Sequence, residues 1–394
     1  MTEVRSPRNH GLVPRLQPFA STIFAEMTAL AVRTGAVNLG QGFPDTDGPA
    51  GMLEVARAAI ASGHNQYPPG PGIPELRNAI AEQRAASYGL VHDPDTEVLV
   101  TVGATEAISA ALLALVDQGD EVLLIEPYYD SYPAAVAMAG ATRRCVPLVA
   151  DGDRFVLDLD ALARAITPAT RALLLNSPHN PTGAVAGRDE LAALAALAVE
   201  HDLLVIIDEV YEHLVFDGAQ HRPIATFPGM AERTLSVSSA GKTFSVTGWK
   251  IGWVCGPAPL VAAVRAAKQF LTFVAGAPLQ PAVAHALRAE RAWLAAHRAE
   301  LQDKQHRLAA GLRAAGLGVL RSEGTYFVCA DVRPLGYSDG LDFCRELPAR
   351  AGVVAIPVQV FVDDPAPWRH LVRFAFCKRD ELLDEAIARL QILR

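Results

Sequence analysis

Residues 203–211 read LLVIIDEVY, a run of five aliphatic residues that leads into two carboxylates. An aliphatic run of this length without polar alternation is typical of a β-strand that is buried on both faces. Similar short runs recur at 98–102, 122–125, 172–175, 234–237 and 251–254. Segments 107–116 and 191–199 have a helical pattern. This alternation predicts an α/β fold whose large domain is a mostly parallel sheet sandwiched by helices.

The last third of the chain has a different pattern. Residues 282–315 are rich in alanine, arginine and leucine and predict one long helix that leads out of the large domain. Strand-like runs at 326–332 and 371–376 and a helix from Asp380 follow it, which predicts a second, α+β domain. We predict an arm and part of the small domain at 1–45, a large domain at 46–290 and a small domain at 291–394. The Pro/Gly-rich stretch 44–74 is the only linker-like region.

Composition limits the partners of this chain. The net charge of -8 repels nucleic acid and anionic lipid, so we expect a small-molecule partner. The five cysteines occur singly, as expected of buried thiols in a reducing compartment. We find no apolar segment that predicts a signal peptide or a membrane span, and we therefore expect a cytoplasmic protein.

Lys242 is the first candidate for chemistry. It lies in SSAGKT, residues 238–243, directly after a predicted strand, where α/β folds bind their ligands. A lysine buried among small residues loses its charge readily and can condense with a carbonyl group. The rival interpretation is a nucleotide-binding P-loop, which also ends in G-K-[ST]. That pattern requires glycine at position 236, which is serine here, so the P-loop is excluded.

Polar side chains follow two further strands. Asp208 ends the aliphatic run and needs a cation if it is buried, and Tyr211 lies three residues later. A helix-capping role for Asp208 is about equally compatible with the pattern. Asn180 lies in NSPHNPTG, residues 176–183, where two prolines and a glycine make a rigid loop. An ordinary tight loop is the alternative there.

Anion-binding groups are also present. Gly103, Ala104 and Thr105 stand at a predicted helix start, where free backbone N–H groups can bind phosphate, although a simple Thr cap fits as well. Lys250 is a second cation that could balance a phosphate, or else a surface residue. Arg373 lies inside an apolar strand and must hold a carboxylate, either of the protein or of a substrate.

Several other chemistries leave no pattern in the sequence. There is no G-x-G-x-x-G, no G-x-S-x-G and no H-E-x-x-H, the usual signatures of dinucleotide binding, α/β-hydrolases and zinc proteases. We accordingly predict no metal site.

Taken in order, these segments resemble the fold-type I enzymes that use pyridoxal 5′-phosphate (PLP), and most of all the class I/II aminotransferases. The resemblance covers almost the whole chain. The segments that carry it are NLGQGFPD (38–45), QYPP (66–69), NSPHNPTG (176–183), DEVY (208–211), SAGK (239–242), GWKIG (248–252) and RF (373–374).

The resemblance implies a role for each matching residue. Lys242 would form the Schiff base with PLP and carry the proton between the substrate α-carbon and the cofactor. Asp208 would pair with the pyridinium nitrogen, while Asn180 and Tyr211 would bind the phenolic oxygen of the ring. The other cofactor contacts implied are Tyr129 stacked on the ring, Gly103, Ala104, Thr105, Ser239 and Lys250 towards the phosphate, and Tyr67 from the second subunit of a homodimer. Phe24, Gly42, Asn180 and Arg373 would bind the substrate, with Arg373 on its α-carboxylate.

Within the class, the chain is similar to bacterial N-succinyldiaminopimelate aminotransferases and to the kynurenine, glutamine and methionine aminotransferases. We expect transfer of an amino group from N-succinyl-LL-2,6-diaminopimelate to 2-oxoglutarate, a step of lysine biosynthesis. The alternatives are a donor such as methionine, glutamine or kynurenine, a cysteine-conjugate β-lyase, and a non-catalytic PLP-sensing regulatory domain. Ala275, where relatives carry phenylalanine, suggests a roomy side-chain pocket, but no second arginine for a distal carboxylate is evident.

Overall fold

The structure, a computed structural model, describes residues 11–394, so the first ten residues of the predicted arm lie outside it. Its helices are α1 (Ile23–Thr34), α2 (Ala50–Ala61), α3 (Pro74–Tyr88), α4 (Gly103–Leu115), α5 (Ser131–Ala139), α6 (Leu159–Ala165), α7 (Arg188–Glu200), α8 (Ala240–Thr243), α9 (Ala258–Leu271), α10 (Gln280–Ala289), α11 (Arg291–Ala314), α12 (Gly340–Ala351) and α13 (Asp380–Leu390). The strands are β1 (Val37–Asn38), β2 (Val98–Val102), β3 (Glu121–Glu126), β4 (Thr142–Pro147), β5 (Val149–Asp151), β6 (Arg154–Val156), β7 (Thr170–Asn176), β8 (Leu204–Asp208), β9 (Thr234–Ser239), β10 (Ile251–Cys255), β11 (Gly318–Val319), β12 (Phe327–Asp331), β13 (Val353–Val354), β14 (Ile356–Pro357) and β15 (Leu371–Ala375).

Seven strands form the main sheet, in the order β2-β10-β9-β8-β7-β3-β4. Adjacent strands of this sheet run parallel, except that β10 is antiparallel to both of its neighbours, β2 and β9. The predicted mostly parallel sheet is therefore confirmed. β4 was not predicted, because its sequence TRRCVP contains two arginines and no continuous apolar run. This strand pairs only with β3, and an edge strand tolerates charged residues that a central strand would not.

Helices cover both faces of this sheet. On β3 and β7, Leu123 and Leu173 pack with residues of α6 and α7, while Leu124 and Leu174 pack with α4, α5 and α9. Successive side chains of a strand point to opposite faces, so a run of consecutive leucines is buried on both sides. This explains why the strands lack polar alternation and confirms the sandwich.

The predicted single helix at 282–315 is wrong, because the chain breaks at Glu290 between α10 and α11. α10 packs against α2 and α3, whereas α11 packs against α13. The break at Glu290 thus lets the chain pass from the helices α2 and α3 to the helix α13. The prediction that 44–74 is linker-like was also wrong in part. It contains α2, whose buried face includes Met52, Ala56 and Ala59.

The C-terminal part is built on a four-stranded antiparallel sheet, β11-β12-β15-β14. Helices α1, α11, α12 and α13 supply residues to the core of this part. β1 pairs in parallel with β13, so the chain at 37–38 joins the C-terminal part although it precedes the main sheet. The limits 1–45, 46–290 and 291–394 stay a prediction of domain organisation. Among the described helices, none combines the length and apolarity needed to cross a bilayer.

Candidate active site

A cavity of about 350 Å³, here called the catalytic cavity, lies where β7, β8 and β9 end in Asn176, Asp208 and Ser239. Thirteen of the predicted site residues line it, namely Phe24, Gly42, Gly103, Ala104, Thr105, Tyr129, Asn180, Asp208, Tyr211, Ser239, Lys242, Lys250 and Arg373. They come from almost the full length of the chain. The structure therefore brings together residues that the sequence analysis singled out one by one.

Tyr67 is the one predicted site residue that does not line the cavity. Its side chain is 80% exposed and lies edge-on to Phe273, with 5.3 Å between ring centroids. Ala275 does not line it either; it is buried in the core beside α10, because the chain turns inward after α9. Neither residue contributes to the cavity of its own protomer.

Lys242 reaches the cavity from α8, a single helical turn. Ser239 caps this turn by accepting a hydrogen bond from the Gly241 N–H at 3.1 Å. The Lys242 Nζ donates to the Gly42 carbonyl at 3.0 Å and lies 5.6 Å from the ring centroid of Tyr211. Burial lowers the pKa of Lys242 to about 8. About a tenth of this amine is therefore unprotonated at pH 7, far more than of an ordinary lysine, and is available as a nucleophile or base.

Asp208 is buried, with 5% of its surface exposed. Its Oδ1 accepts from the Val210 N–H at 3.1 Å and its Oδ2 from the Tyr132 hydroxyl at 2.7 Å. Burial raises the pKa of Asp208 to about 6, although these hydrogen bonds oppose the shift. No helix begins here, so the capping alternative is wrong. A buried carboxylate with a raised pKa is stabilised by a cationic partner such as a protonated ring nitrogen.

The start of α4 forms an anion cradle. Val102 at the N-cap supplies no side-chain acceptor for the first N–H groups, and Thr105 lies inside the first turn, so a Thr cap is excluded. Gly103 has φ +73°, and a Cβ there would lie 3.0 Å from the Lys250 Nζ. Lys250, though exposed, thus places its ammonium at the helix start, where the backbone also favours negative charge. This donor set suits a phosphate group.

Arg373 lies in the middle of β15 and is 2% exposed. Its Nη1 donates to Asn180 Oδ1 at 2.8 Å and its Nη2 to the Gly40 carbonyl at 2.9 Å, while its Nε has no hydrogen-bond partner within residues 11–394. The guanidinium carbon lies 3.9 Å from the ring centroid of Phe327, and burial lowers the pKa of Arg373 to about 10. None of the ion pairs between described residues involves it. A buried guanidinium without a counter-ion is suited to a substrate carboxylate.

Sequence reasoning missed several residues of the cavity. Tyr132 holds Asp208, and Phe327 stacks on Arg373. Asn176 donates to the Asp208 carbonyl at 2.9 Å and accepts from the Asn180 N–H at 2.7 Å, so it orients both neighbours. Asn176 was in a segment already noted, NSPHNPTG, but Asp208, the partner that Asn176 and Tyr132 share, is distant from both in sequence. The remaining missed lining residues are Gln41, Phe43, Ile108, Val210, Gly241 and Thr247.

A sequence model of the family described as aminotransferase class I and II matches residues 34–390. The chain belongs to this family. A relative from Mycobacterium tuberculosis (strain H37Rv), called "Probable N-succinyldiaminopimelate aminotransferase DapC", is 64% identical over 389 residues, 97% of this chain and 98% of that one. The methionine aminotransferase of Escherichia coli (strain K12) is 40% identical over 98% of this chain and 100% of its own. The solved N-succinyldiaminopimelate aminotransferase of Mycobacterium tuberculosis superposes with a TM-score of 0.96 at 64% identity, covering 98% of this chain and all of that one.

This aminotransferase is accordingly a PLP-dependent transaminase of fold type I, and its substrates are small amino acids and 2-oxo acids. The non-catalytic regulatory alternative is wrong. The residues of the cavity fit the cofactor on structural grounds: an amine of lowered pKa, a buried carboxylate suited to a ring cation, and a phosphate cradle at α4. The predicted PLP chemistry is confirmed at the level of the family.

We expect the Tyr132→Phe enzyme to show a kcat reduced about tenfold, because Asp208 loses the only hydrogen bond that another side chain donates to it among the described residues. A hydrogen bond to a charged group contributes roughly 1.5–3 kcal/mol, and a tenfold effect corresponds to the lower end of that range. The measurement is kcat with a saturating donor, beside Tyr128→Phe, which removes a hydroxyl that donates to Asp363 instead. Equal kcat values for Tyr132→Phe and the unaltered enzyme would contradict this role.

The cofactor-free protein should become more stable when Lys242 is replaced by methionine. The pKa of Lys242 is about 8 in the fold against 10.5 when unfolded, so its contribution to stability is present above pH 10.5 and is lost as the pH falls through 8. At pH 7 the substitution should raise the free energy of unfolding by about 1–2 kcal/mol, less than the full shift implies because the amine is partly accessible and faces Asp208.

Thermal unfolding at pH 7 and pH 10 tests this, with Lys250→Met as an exposed control expected to change stability by less than about 0.5 kcal/mol. The advantage of Lys242→Met should shrink at the higher pH. A variant less stable than the unaltered apoprotein at pH 7 would refute the expectation.

Proposed function

We propose that this aminotransferase transfers the amino group of N-succinyl-LL-2,6-diaminopimelate to 2-oxoglutarate, and so acts in lysine biosynthesis. The observation that carries the proposal is the 64% identity, over 97% of the chain, to the DapC protein of Mycobacterium tuberculosis. A cytoplasmic location stays a prediction from the sequence.

The roles that the family resemblance implies for the site residues are compatible with the geometry of the cavity. Bound PLP supplies a protonated ring that accepts the electron pair left at the substrate α-carbon. Asp208, buried beside Tyr132, keeps the ring nitrogen protonated. Lys242 would hold the cofactor covalently, and its free amine would act as the base that takes the substrate α-proton and returns it. Its lowered pKa suits both proton steps.

The other residues bind and orient. Arg373 holds the α-carboxylate through its Nε and a remaining Nη–H, with Asn180 and Gly42 beside it. Asn180 and Tyr211 would hydrogen-bond the phenolic oxygen of the cofactor, and Tyr129 would stack on its ring. Gly103, Ala104, Thr105, Ser239 and Lys250 would surround the phosphate, and Phe24 would line the substrate side-chain pocket.

A homodimer with shared active sites completes the proposal. Three aromatic side chains, Tyr67, Phe270 and Phe273, are 80%, 85% and 48% exposed, an unusual concentration of apolar surface at the end of α9. A second copy of the chain would cover them, and Tyr67 would reach the phosphate in that copy. Sedimentation of the enzyme and of Phe270→Asp tests this, since a dimer that the substitution does not weaken would argue against this surface.

A neutral donor such as methionine is the second candidate. Arg373 is the only arginine that lines the catalytic cavity among described residues, and Phe24, Phe327 and Phe361 surround its guanidinium at 3.9–5.5 Å. An apolar wall without a second arginine favours an uncharged side chain. The 40% identical methionine aminotransferase of Escherichia coli agrees with this alternative.

A donor panel with 2-oxoglutarate decides between the candidates. It compares kcat/KM for N-succinyl-diaminopimelate, methionine, glutamine, kynurenine and aromatic amino acids. A preference of about a hundredfold, equivalent to roughly 2.7 kcal/mol, identifies the donor class. Faster turnover of methionine than of the succinylated donor would overturn the proposal. Pyruvate and ammonia released from cysteine conjugates without an acceptor would indicate β-lyase activity.

A further inference from the structure

A loop formed by residues 40–45 passes over the catalytic cavity, and three cationic side chains hold its backbone. Arg373 donates to the Gly40 carbonyl at 2.9 Å, and Lys242 to the Gly42 carbonyl at 3.0 Å. Lys378 donates to the Phe43 carbonyl at 2.7 Å. Phe43 itself lines the cavity and is 44% exposed, so the last contact fixes a residue at the cavity mouth.

Two of these cations have other partners during turnover. A Lys242 nitrogen bonded to the cofactor has lost most of its hydrogens and cannot hold the Gly42 carbonyl as an ammonium does. Arg373 offers its Nε and remaining Nη–H groups to the substrate carboxylate, so one guanidinium serves both the loop and the substrate. The two cations that the reaction uses therefore divide their contacts between the loop and the ligands of the cavity.

The contact from Lys378 does not change with the reaction. Lys378 is 5% exposed and its Nζ lies 4.5 Å over the Phe43 ring, which adds a cation–π contact to the hydrogen bond. It follows Arg373 by five residues on the same segment, and the Ala375 N–H on that segment donates to the Leu39 carbonyl at 2.7 Å. One segment therefore carries both the carboxylate-binding arginine and the cation that holds the loop.

We propose that Lys378 is a positioning residue for transamination: it holds the loop of residues 40–45 over the cavity mouth while Lys242 and Arg373 engage cofactor and substrate. The loop then presents Gly42 and Phe43 to the bound amino acid in each half-reaction. The effect concerns binding of any amino acid donor, so it does not depend on which donor is physiological.

The test uses the holoenzyme with methionine and 2-oxoglutarate. Lys378→Met keeps the apolar stem and removes the ammonium; we expect the KM for methionine to rise about tenfold with kcat within about threefold of the unaltered value, the pattern of lost binding. Lys378→Arg should restore KM, because arginine can both donate to the carbonyl and lie over the ring. Lys304→Met is the control, since Lys304 is similarly buried, at 3%, but pairs with Glu300 on α11. It should leave both constants unchanged.

An unaltered KM in Lys378→Met overturns the proposal, as does an equal rise in Lys304→Met. If Lys378→Met does not fold, Phe43→Leu at the exposed end of the contact serves instead. It removes the ring face and should raise KM about threefold, in keeping with a single cation–π contact. Unchanged KM in Phe43→Leu then overturns the proposal. Loss of all activity with every donor in the unaltered holoenzyme would instead be a failure of the assigned reaction.

Discussion

Replacing Lys242 with alanine is expected to lower kcat by about a thousandfold or more. The substitution removes the amine that we propose as the covalent attachment point of the cofactor and as the group that moves the proton, and general acid–base catalysis alone contributes roughly 10²–10⁴. Its lowered pKa and its place between Gly42 and Tyr211 make it the one amine suited to that step among the residues that line the cavity. Single-turnover rates with an amino acid donor measure the loss.

Two controls separate chemistry from structure. Lys242→Arg keeps a cation of similar reach but one that does not deprotonate, and it should be as inactive as Lys242→Ala. A small primary amine added to the Lys242→Ala enzyme should restore part of the rate, because it supplies the missing base. Turnover by Lys242→Ala within tenfold of the unaltered enzyme would refute the assignment of Lys242.

The second large effect is expected at Arg373. Arg373→Met should reduce kcat/KM for amino acids by roughly 30- to 1000-fold, equivalent to about 2–4 kcal/mol, since a buried charge pair loses one partner. Folding should survive, because methionine suits the apolar surroundings of Phe24, Phe327 and Phe361 and Arg373 has no counter-ion among described residues. Steady-state kinetics measure the loss.

The matched control is a substrate rather than a variant. An amine that lacks only the carboxylate of the donor cannot bind to Arg373. The unaltered enzyme and Arg373→Met should therefore have equally low kcat/KM values for this amine. The preference for the amino acid over the amine should therefore collapse in Arg373→Met. If the variant keeps that preference, another group binds the carboxylate.

The local sequence was sufficient to predict the location of residues that directly follow a strand. Lys242, Asp208 and Asn180 each come after an aliphatic run, and the carboxyl ends of parallel strands meet at one edge of a sheet. Position relative to the strand thus predicted their neighbourhood without any knowledge of contacts. The P-loop alternative was excluded in the same way, by one residue at a fixed spacing.

Pairing between distant segments could not be predicted in this way. Tyr132 and Asp208 are 76 residues apart, and Lys242 and Gly42 are 200 apart. Whether Arg373 meets a protein carboxylate or remains open to substrate depends on every element packed around β15. The same is true of Lys378, which by sequence resembles any lysine that follows a strand.

The alternation of strands and helices, the buried, mostly parallel sheet and the candidate residues of the site could be predicted from the sequence, because apolar period and residue chemistry depend on near neighbours in the chain. The break at Glu290, the antiparallel course of β10 and the partners of Arg373 were decided only by the tertiary structure. These features depend on how segments far apart in sequence pack against one another, and local sequence patterns do not predict such packing.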